Sequence, residues 1–347
     1  MKRLSFSIIL ILLIIASSDA PQAKVSGECS NCHTMHNSQA GASMATYGGF
    51  GDAPFSSLVR GNCLGCHGQD PSGSEYVTLG QKIPQVYHTT GETDLAAGNF
   101  KHIITDDAYG HNVDLLTGYA EDILTEPPGD ENDTGITTDL TCAGTKGCHG
   151  DRATLGNFDS IKGAHHAGVS GLCNIADTVA NSYRFLLGVK GHENMDATYP
   201  WQNRTAIIHN EYYGVSSRGS EGGISSPGSN SISGLCAECH GNFHGPGTDD
   251  ITIGSASPWL RHPTDIVLTS DGEYASYTTY STTAPVARST VYATINTSTT
   301  NDVVAPGTDI IMCLSCHGAH ATGNYKLMRW DNKANMSGCV VCHTSKS

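Results

Sequence analysis

The sequence predicts a coil-rich fold with few short helices and a small β-rich excursion, organised around something other than an ordinary apolar core. Three observations support this prediction. Glycine is abundant at 40 of 347 residues while 38% of the residues are hydrophobic, so little apolar surface is available for burial. Helical periodicity is weak along the chain. Most of the 13 cysteines recur with histidine in one short pattern. Such a chain would struggle to offset its conformational entropy by burying side chains alone.

The pattern is Cys-x-x-Cys-His, which occurs five times, and a sixth, stretched copy spans Cys142 to His149. It is the attachment motif of c-type haem: two thiols add to the haem vinyl groups, and the adjacent imidazole binds the iron. We therefore expect six covalent haem c groups. The expected thioether cysteines are Cys29, Cys32, Cys63, Cys66, Cys142, Cys148, Cys236, Cys239, Cys313, Cys316, Cys339 and Cys342. The expected proximal iron ligands are His33, His67, His149, His240, His317 and His343.

The fold class that follows is a multihaem cytochrome c whose haems form the core. Each motif is expected on a single helical turn. The segment Asp177–Val189 is predicted to form one helix, with Asp177 as its cap. Residues 264–308 contain no cysteine or histidine and are rich in Thr, Ser, Tyr and Val. We expect a haem-free β-rich excursion there, with strands near Glu273–Tyr280 and Ser289–Ile295.

Residues 1–20 have the pattern of a secretory signal peptide: a basic start, an apolar run from Leu4 to Ala16, and small residues after it. The apolar run is shorter than a bilayer span, and no other segment qualifies as a transmembrane helix. Residues 21–347 are then expected to form a single exported hexahaem unit, at the cell surface or outside the cell, with the periplasm as the second choice. The net charge of −14 argues against nucleic-acid binding.

Subtracting the six motif histidines from 17 leaves eleven, which is more than six irons need as second ligands. We therefore expect bis-histidine ligation throughout, with methionine as the alternative that would raise the reduction potential. The distal candidates are His36, His111, His166, His209, His244, His262 and His320.

Position in the sequence ranks these candidates. His36, His320 and His244 follow their own motifs too closely to reach the far side of the same haem, so each is expected to reach a neighbouring one. His165 and His166 are adjacent, so one of them is expected to face iron, and His166 is favoured. His88, His102 and His192 are expected to lie at the surface or in hydrogen bonds.

The stretched motif leaves two interpretations open. Both Cys142 and Cys148 form thioethers if the intervening AGTKG loop bulges outward, and Cys173 is then a buried free thiol. Alternatively, Cys148 forms the only thioether while Cys142 and Cys173 form a disulfide, which export would permit. The first interpretation is favoured.

The motif contexts ECSNCHTMHNS, CAECHGNFH followed by WLRHP, and CLSCHGAHATG resemble outer-surface hexahaem cytochromes of the OmcS type, as does a last motif near the C-terminus. That resemblance implies an extracellular filament of protomers carrying electrons over long distances. It also implies that His36 completes the iron of the Cys313–His317 haem in the next protomer. The third motif departs from the family, because no second histidine follows it directly. His166 or His209 would then take that role.

Three functions remain open. Saturated bis-histidine irons predict no enzyme but outer-sphere electron transfer along closely spaced haems, in a head-to-tail homopolymer. The alternative is a periplasmic or extracellular shuttle with the same haems and no polymer, which holds if His36 ligates iron within its own subunit. A more remote alternative is a multihaem reductase, which would need one iron with an open face. The redox partners are not specified by the sequence.

Overall fold

The computed structural model describes residues 25, 27–46, 54–69, 73–78, 80–91, 93–114, 116, 127–128, 140–168, 171–216, 230–240, 262, 264–297 and 301–346. The expected signal peptide at residues 1–20 and the distal candidate His244 lie outside these residues. Within them, no helix is long and apolar enough to cross a membrane.

Helices in the described residues are short. The α-helices are α1 (Leu64–His67), α2 (Asn157–Ser160), α3 (Ile232–Ala237) and α4 (Cys339–Cys342). The 3-10 helices are Cys29–Asn31, Phe100–Ile104, Asp107–Tyr109, Ala164–His166, Tyr183–Phe185, Gly272–Tyr274, Cys313–Ser315 and Tyr325–Leu327. The prediction of a coil-rich fold with few short helices is confirmed.

The strands are equally short and form three sheets. β1 (Ser38–Gln39) pairs with β2 (Ala42–Ser43), and β3 (Glu75–Thr78) pairs with β4 (Gln81–Pro84), both antiparallel. The other strands form one sheet in the order β5-β6-β7-β9-β10-β8. They are β5 (Leu172–Cys173), β6 (Gly191–His192), β7 (Glu211–Tyr213), β8 (Ile266–Val267), β9 (Ala287–Arg288) and β10 (Ile310–Ile311). Only the β7–β9 pairing is parallel among the pairings described in this sheet.

The prediction of a helix at Asp177–Val189 is wrong. The segment closes a tight loop in which the Tyr183 N–H donates to the Val189 carbonyl, and the Gly188 N–H donates to the Ser182 hydroxyl. Only Tyr183–Phe185 is helical, and Arg184 there has a φ of 52°. Left-handed backbone at a non-glycine residue interrupts a right-handed helix.

The prediction of strands near Glu273–Tyr280 and Ser289–Ile295 is also wrong. Residues 264–308 instead contribute β8 and β9 to the large sheet, and Gly272–Tyr274 is a 3-10 helix. The rings of Tyr277 and Tyr280 are buried in an apolar cluster against which Cys342 of the last motif packs. Burial of these tyrosines, rather than a strand ladder, therefore orders the segment.

Candidate haem attachment and ligation sites

Five motifs close in the same way, by a hydrogen bond from the histidine N–H to the carbonyl of the first cysteine. The distances lie between 2.8 and 3.1 Å for His33, His67, His240, His317 and His343. This single turn brings both cysteine side chains and the imidazole to one stretch of backbone, as attachment to one macrocycle requires.

The stretched motif keeps this closure despite its longer loop. The His149 N–H donates to the Cys142 carbonyl at 3.0 Å, while the intervening residues bulge through a bond from the Gly147 N–H to the Gly144 carbonyl. Gly144 has a φ of +86°, and a Cβ at Gly147 would lie 2.5 Å from the Thr141 carbonyl oxygen. Both glycines are therefore required for the bulge, which leaves the ends of the motif in the usual relation.

Cys173 lies apart from the stretched motif, in an apolar cluster with Tyr183 and Leu186, and it is 2% exposed. No disulfide joins any of the 13 cysteines, all of which lie in the described part of the chain. The alternative pairing of Cys142 with Cys173 is therefore absent from the structure.

Five motif histidines each face one other histidine at a nearly constant separation. The ring centroids lie 6.0 to 6.3 Å apart, although the planes differ by 22° to 86°. The pairs are His33 with His166, His67 with His165, His149 with His320, His240 with His111, and His343 with His262.

This separation tests whether the residues fit a haem iron. An imidazole nitrogen binds a first-row metal ion at about 2 Å, so two imidazoles on opposite sides of one iron would have centroids about 6 Å apart. The five pairs meet this requirement, with a Cys pair beside each motif histidine. The residues present therefore fit iron ligated by two histidines.

Hydrogen bonds orient the motif histidines. Four donate Nδ1–H to main-chain carbonyls: His67 to Pro84 at 2.9 Å, His149 to Arg184 at 2.8 Å, His240 to Pro128 at 2.6 Å and His317 to Lys326 at 2.9 Å. A bond at Nδ1 fixes the tautomer and leaves the Nε2 lone pair for a metal.

Burial keeps several of these imidazoles neutral. Desolvation lowers the pKa of His67 and His111 below the ordinary value, and it lowers the pKa of His320 to about 3. Neutral imidazole is the form that ligates a metal, because the protonated ring offers no lone pair.

Comparisons with known proteins found a matching family model and a similar sequence. The family described as "Doubled CXXCH motif" matches residues 304–347, which contain the last two motifs. C-type cytochrome OmcS of Geobacter sulfurreducens is 26% identical over 366 residues, covering 88% of this chain and 78% of that protein. The chain is therefore similar to the multihaem c-type cytochrome OmcS.

Two solved filament structures are also similar to this OmcS-like chain. One is the outer membrane cytochrome S filament from Geobacter sulfurreducens, at 23% identity and a TM-score of 0.46, with 89% of this chain and 85% of that chain covered. The other is the OmcS nanowire from the same organism, at 20% identity and the same TM-score, with 88% and 84% covered.

The structure of this OmcS-like chain places four of the distal candidates opposite motif histidines: His111, His166, His262 and His320. The third motif, for which His166 or His209 was expected, faces His320 instead. His165 was not among the candidates, yet it faces His67. Ala164–His166 is a 3-10 turn after Gly163, whose φ is +78°, and successive side chains on such a turn point in different directions. Adjacent histidines can therefore serve two different sites.

His209 does not face a motif histidine, contrary to the expectation from sequence. Both of its ring nitrogens lie 2.8 Å from main-chain carbonyls, Nδ1 from that of Asn210 and Nε2 from that of Asn301. Its ring stacks on Tyr280 with centroids 3.5 Å apart, and the side chain is fully buried. These contacts occupy both nitrogens, so neither is available to a metal.

His36 and His317 are left without an imidazole opposite them among the described residues. Both are exposed. The Nδ1 atom of His36 lies 2.8 Å from the Phe55 carbonyl oxygen, an arrangement that leaves the Nε2 lone pair for a metal.

His149 and His317 each accept their orientation from a left-handed turn that the sequence analysis did not predict. Arg184 and Phe185 have φ values of 52° and 60°, and their carbonyls accept from His149 Nδ1 and the Gly150 N–H. The 3-10 turn Tyr325–Leu327 repeats the arrangement with Lys326 and Leu327, whose φ values are 57° and 58°, at His317 and Gly318. The repeated signal is Tyr, a basic residue and an apolar residue, at 183–185 and 325–327. Each left-handed residue costs on the order of 1–3 kcal/mol, and here it directs a carbonyl to a motif histidine.

The cysteines of consecutive motifs lie near one another. Hydrogen bonds between thiols join the first motif to the second, the second to the third, and the fourth to the fifth. The thiols of the third and fourth motifs, and those of the fifth and sixth, interact electrostatically. The hydrogen-bonded pairs are Cys66 with Cys32, Cys142 with Cys63, and Cys236 with Cys313. The electrostatic neighbours are Cys148 with Cys239 and Cys316 with Cys339 and Cys342. Consecutive motifs are therefore neighbours in space along the whole series.

Proposed function

We propose that residues 21–347 bind six covalent haem c groups and transfer electrons through them, as the protomer of a conductive filament outside the cell. Export would depend on the signal peptide expected at residues 1–20. The observation that carries this proposal is the set of five histidine pairs at 6.0 to 6.3 Å, together with two exposed histidines, His36 and His317, that face no other imidazole among the described residues.

The paired imidazoles support electron transfer rather than an enzyme. When bound, haem c supplies a one-electron couple, and two protein ligands on each iron leave no position for a substrate. The chain's contribution is to attach each group through two cysteines, to hold its axial histidines by carbonyl hydrogen bonds, and to exclude water by burial. A multihaem reductase would need one iron with an open face.

The cysteine contacts support a single path through the protomer. Because the thioether sulfurs lie at the edges of the macrocycles, contact between the cysteines of consecutive motifs implies edges in close approach. Three of the five consecutive motif pairs have such a contact, and the other two are near enough for their thiols to interact electrostatically. The electrons would then enter at one end of the series and leave at the other.

His36 and His317, which face no imidazole in the described part of the chain, support polymerisation. We propose that His36 of one protomer completes the iron at His317 of the next, so that one exposed surface donates a ligand and a different exposed surface receives it. Such a heterologous contact does not close on itself and extends head to tail. The solved relatives are described as filaments of OmcS.

Electron microscopy of the haem-staining material released from the cell surface tests this proposal. We expect filaments whose axial repeat is one hexahaem protomer. In His36→Ala, we expect dispersed particles in which one haem in six gives a high-spin signal. The control is His102→Ala, which removes an imidazole that belongs to none of the five histidine pairs. This variant should leave the filaments and the absorption spectrum unchanged.

Three results would contradict parts of this proposal. Wild-type particles that stay dispersed across salt and pH, with six low-spin haems, would identify a shuttle in which His244 or His36 ligates iron within its own chain. An unchanged low-spin spectrum in His36→Ala would exclude His36 as a ligand. A high-spin haem in assembled wild-type protein would instead favour the reductase.

A further inference from the structure

His343, in the last motif, has a different hydrogen-bond acceptor from the other motif histidines whose Nδ1 contact is described. Its Nδ1 lies 3.0 Å from Oε1 of Glu273, whereas His67, His149, His240 and His317 use main-chain carbonyls. A carboxylate is a stronger acceptor than a carbonyl because it carries a full negative charge.

The surroundings hold the Glu273 carboxylate in place. The Thr344 hydroxyl donates to the main-chain carbonyl of Glu273, and the Ser345 hydroxyl lies 3.3 Å from its Oε2. The carboxylate side chain is 17% exposed, and the Tyr274 ring contacts the His343 ring edge to face at 5.1 Å. The 3-10 helix Gly272–Tyr274 and the C-terminal residues therefore fix each other around this one contact.

Glu273 lies in residues 264–308, which the proposed electron path does not otherwise use. This stretch has no cysteine or histidine, and its first part packs beside the last motif through Tyr277 and Cys342. The contact with His343 gives the stretch a specific relation to one haem of the series.

We propose that Glu273 is a positioning residue that lowers the reduction potential of the haem at Cys339–His343, by accepting the Nδ1–H of its axial histidine. The proposal rests on the proposed function, because it needs a haem at that motif. A carboxylate acceptor gives the imidazole partial imidazolate character and so raises its basicity as a ligand. A more basic ligand favours ferric iron, and hydrogen bonding around the ligands is one of the means by which proteins set haem potentials.

Lys346 is the charge that opposes this effect. Its Nζ lies 3.3 Å from Oε1 of Glu273, and the lysine side chain is 61% exposed. A cation there draws electron density from the carboxylate and weakens its bond to His343, though water screens the pair. Removal of Glu273 and removal of Lys346 should therefore move the potential in opposite directions.

Glu273→Gln tests the inference, because glutamine keeps an acceptor oxygen and removes the charge. A spectroelectrochemical titration of the hexahaem protein should show one haem of six shifted to more positive potential. We expect a tenfold change in its ratio of reduced to oxidised iron at a fixed potential, which is 59 mV for a one-electron couple. The difference between the variant and wild-type curves should have the amplitude of a single haem.

Two further variants make the test specific. Asp271→Asn removes a carboxylate from the exposed cap of the same 3-10 helix, and that side chain makes no capping hydrogen bond, so it should leave all six potentials unchanged. Lys346→Met should shift one haem in the negative direction. The ¹⁵N and ¹H resonances of the Nδ1–H of one axial histidine should also move in Glu273→Gln and not in Asp271→Asn.

The outcomes separate this inference from the proposed function. Six low-spin haems in wild type with six unshifted potentials in Glu273→Gln would overturn the inference and leave the proposed function standing. Equal shifts in Glu273→Gln and Asp271→Asn would reduce the effect to general charge and would also overturn it. Fewer than six haems in wild type, with none at Cys339–His343, would overturn both. If the Glu273→Gln protein fails to mature, the Nδ1–H resonance of that axial histidine in Lys346→Met becomes the deciding result, and an unmoved resonance would overturn the inference.

Discussion

His320 shows how a residue next to one haem motif comes to serve another. It lies three residues after His317, too close to turn back over the same macrocycle, and its ring faces His149 of the third motif at 6.2 Å. The Phe100 ring also stacks on the His320 ring, with centroids 4.6 Å apart. One residue thus ties the fifth motif to the third, which helps to hold haems that the sequence separates widely.

His320→Ala is expected to open the iron at His149, because no other described histidine faces that ring. One haem in six should become high-spin at neutral pH and should bind cyanide or carbon monoxide. Electron paramagnetic resonance and the absorption spectrum of the ligand complex measure this change.

His209→Ala is the matched control for that variant. It removes a fully buried imidazole and its contacts with the Asn210 and Asn301 carbonyls, so stability should fall while all haems stay low-spin. A high-spin haem in His209→Ala, or none in His320→Ala, would reverse our assignment of the third haem's ligand.

At the scale of elements, a buried ionic cluster joins three neighbouring strands of the large sheet. Arg288 in β9 contacts Glu211 in β7 at 2.6 Å and Asp309, just before β10, at 2.8 Å. Desolvation raises the pKa of Glu211 to about 7, despite the pull of Arg288 in the other direction, and it also raises the pKa of Asp309. His209, 3.7 Å from Glu211, has a pKa that burial lowers to about 4.

Glu211 should make stability fall as pH rises. Its folded pKa of about 7 lies above the ordinary value of 4.5, so between these values the folded protein holds a proton that the unfolded chain releases. Raising the pH through this window therefore favours unfolding, by up to about 3 kcal/mol at 1.36 kcal/mol per unit. His209 contributes the opposite slope between about pH 4 and 6.5, because its pKa is lowered on folding.

Comparing Glu211→Gln with wild type isolates the Glu211 contribution. Guanidinium denaturation followed by circular dichroism should show wild type losing stability relative to the variant from pH 5 to 8. The control is Glu75→Gln, whose partly exposed ion pair with Lys82 should contribute no such slope. A flat difference between Glu211→Gln and wild type would mean that Glu211 is fully ionised in the folded protein.

At the scale of the whole molecule, the described apolar clusters are small and separate. The largest centres on Cys173, Tyr183 and Tyr212, and the others lie around Leu64 with Phe100 and around Tyr277 with Tyr280. Helices of three to six residues add little stability of their own, since helix formation is cooperative and favours longer segments. We therefore expect the haems to supply most of the core.

A chain produced without haem attachment should not fold. Without the macrocycles, the apolar surface is too small to offset chain entropy, so far-UV circular dichroism should show coil and amide hydrogen exchange should show no protected core. The matured protein provides the control under the same conditions. Protected amides in the large sheet of the haem-free chain would show that the polypeptide builds its own core.

Parts of the ligation pattern could be predicted because they are local. The five Cys-x-x-Cys-His turns need only five consecutive residues, and four of the expected distal histidines lie opposite motif histidines. His165 and His209 were misjudged for opposite reasons. A 3-10 turn separates neighbouring side chains, which spacing alone does not reveal. Two carbonyls that lie near His209 only in the folded chain occupy its nitrogens.

The sequence by itself determined the chemistry of this protein: the attachment motifs, a surplus of imidazoles and a composition too poor in apolar residues for an ordinary core. The tertiary structure decided which histidine faces which motif, which motifs adjoin, and which acceptor each Nδ1 reaches. The physical reason is the separation along the chain of the residues that interact. A haem motif is fixed by bonds within one turn, whereas His149 meets His320 and His343 meets Glu273 only after distant segments have packed together.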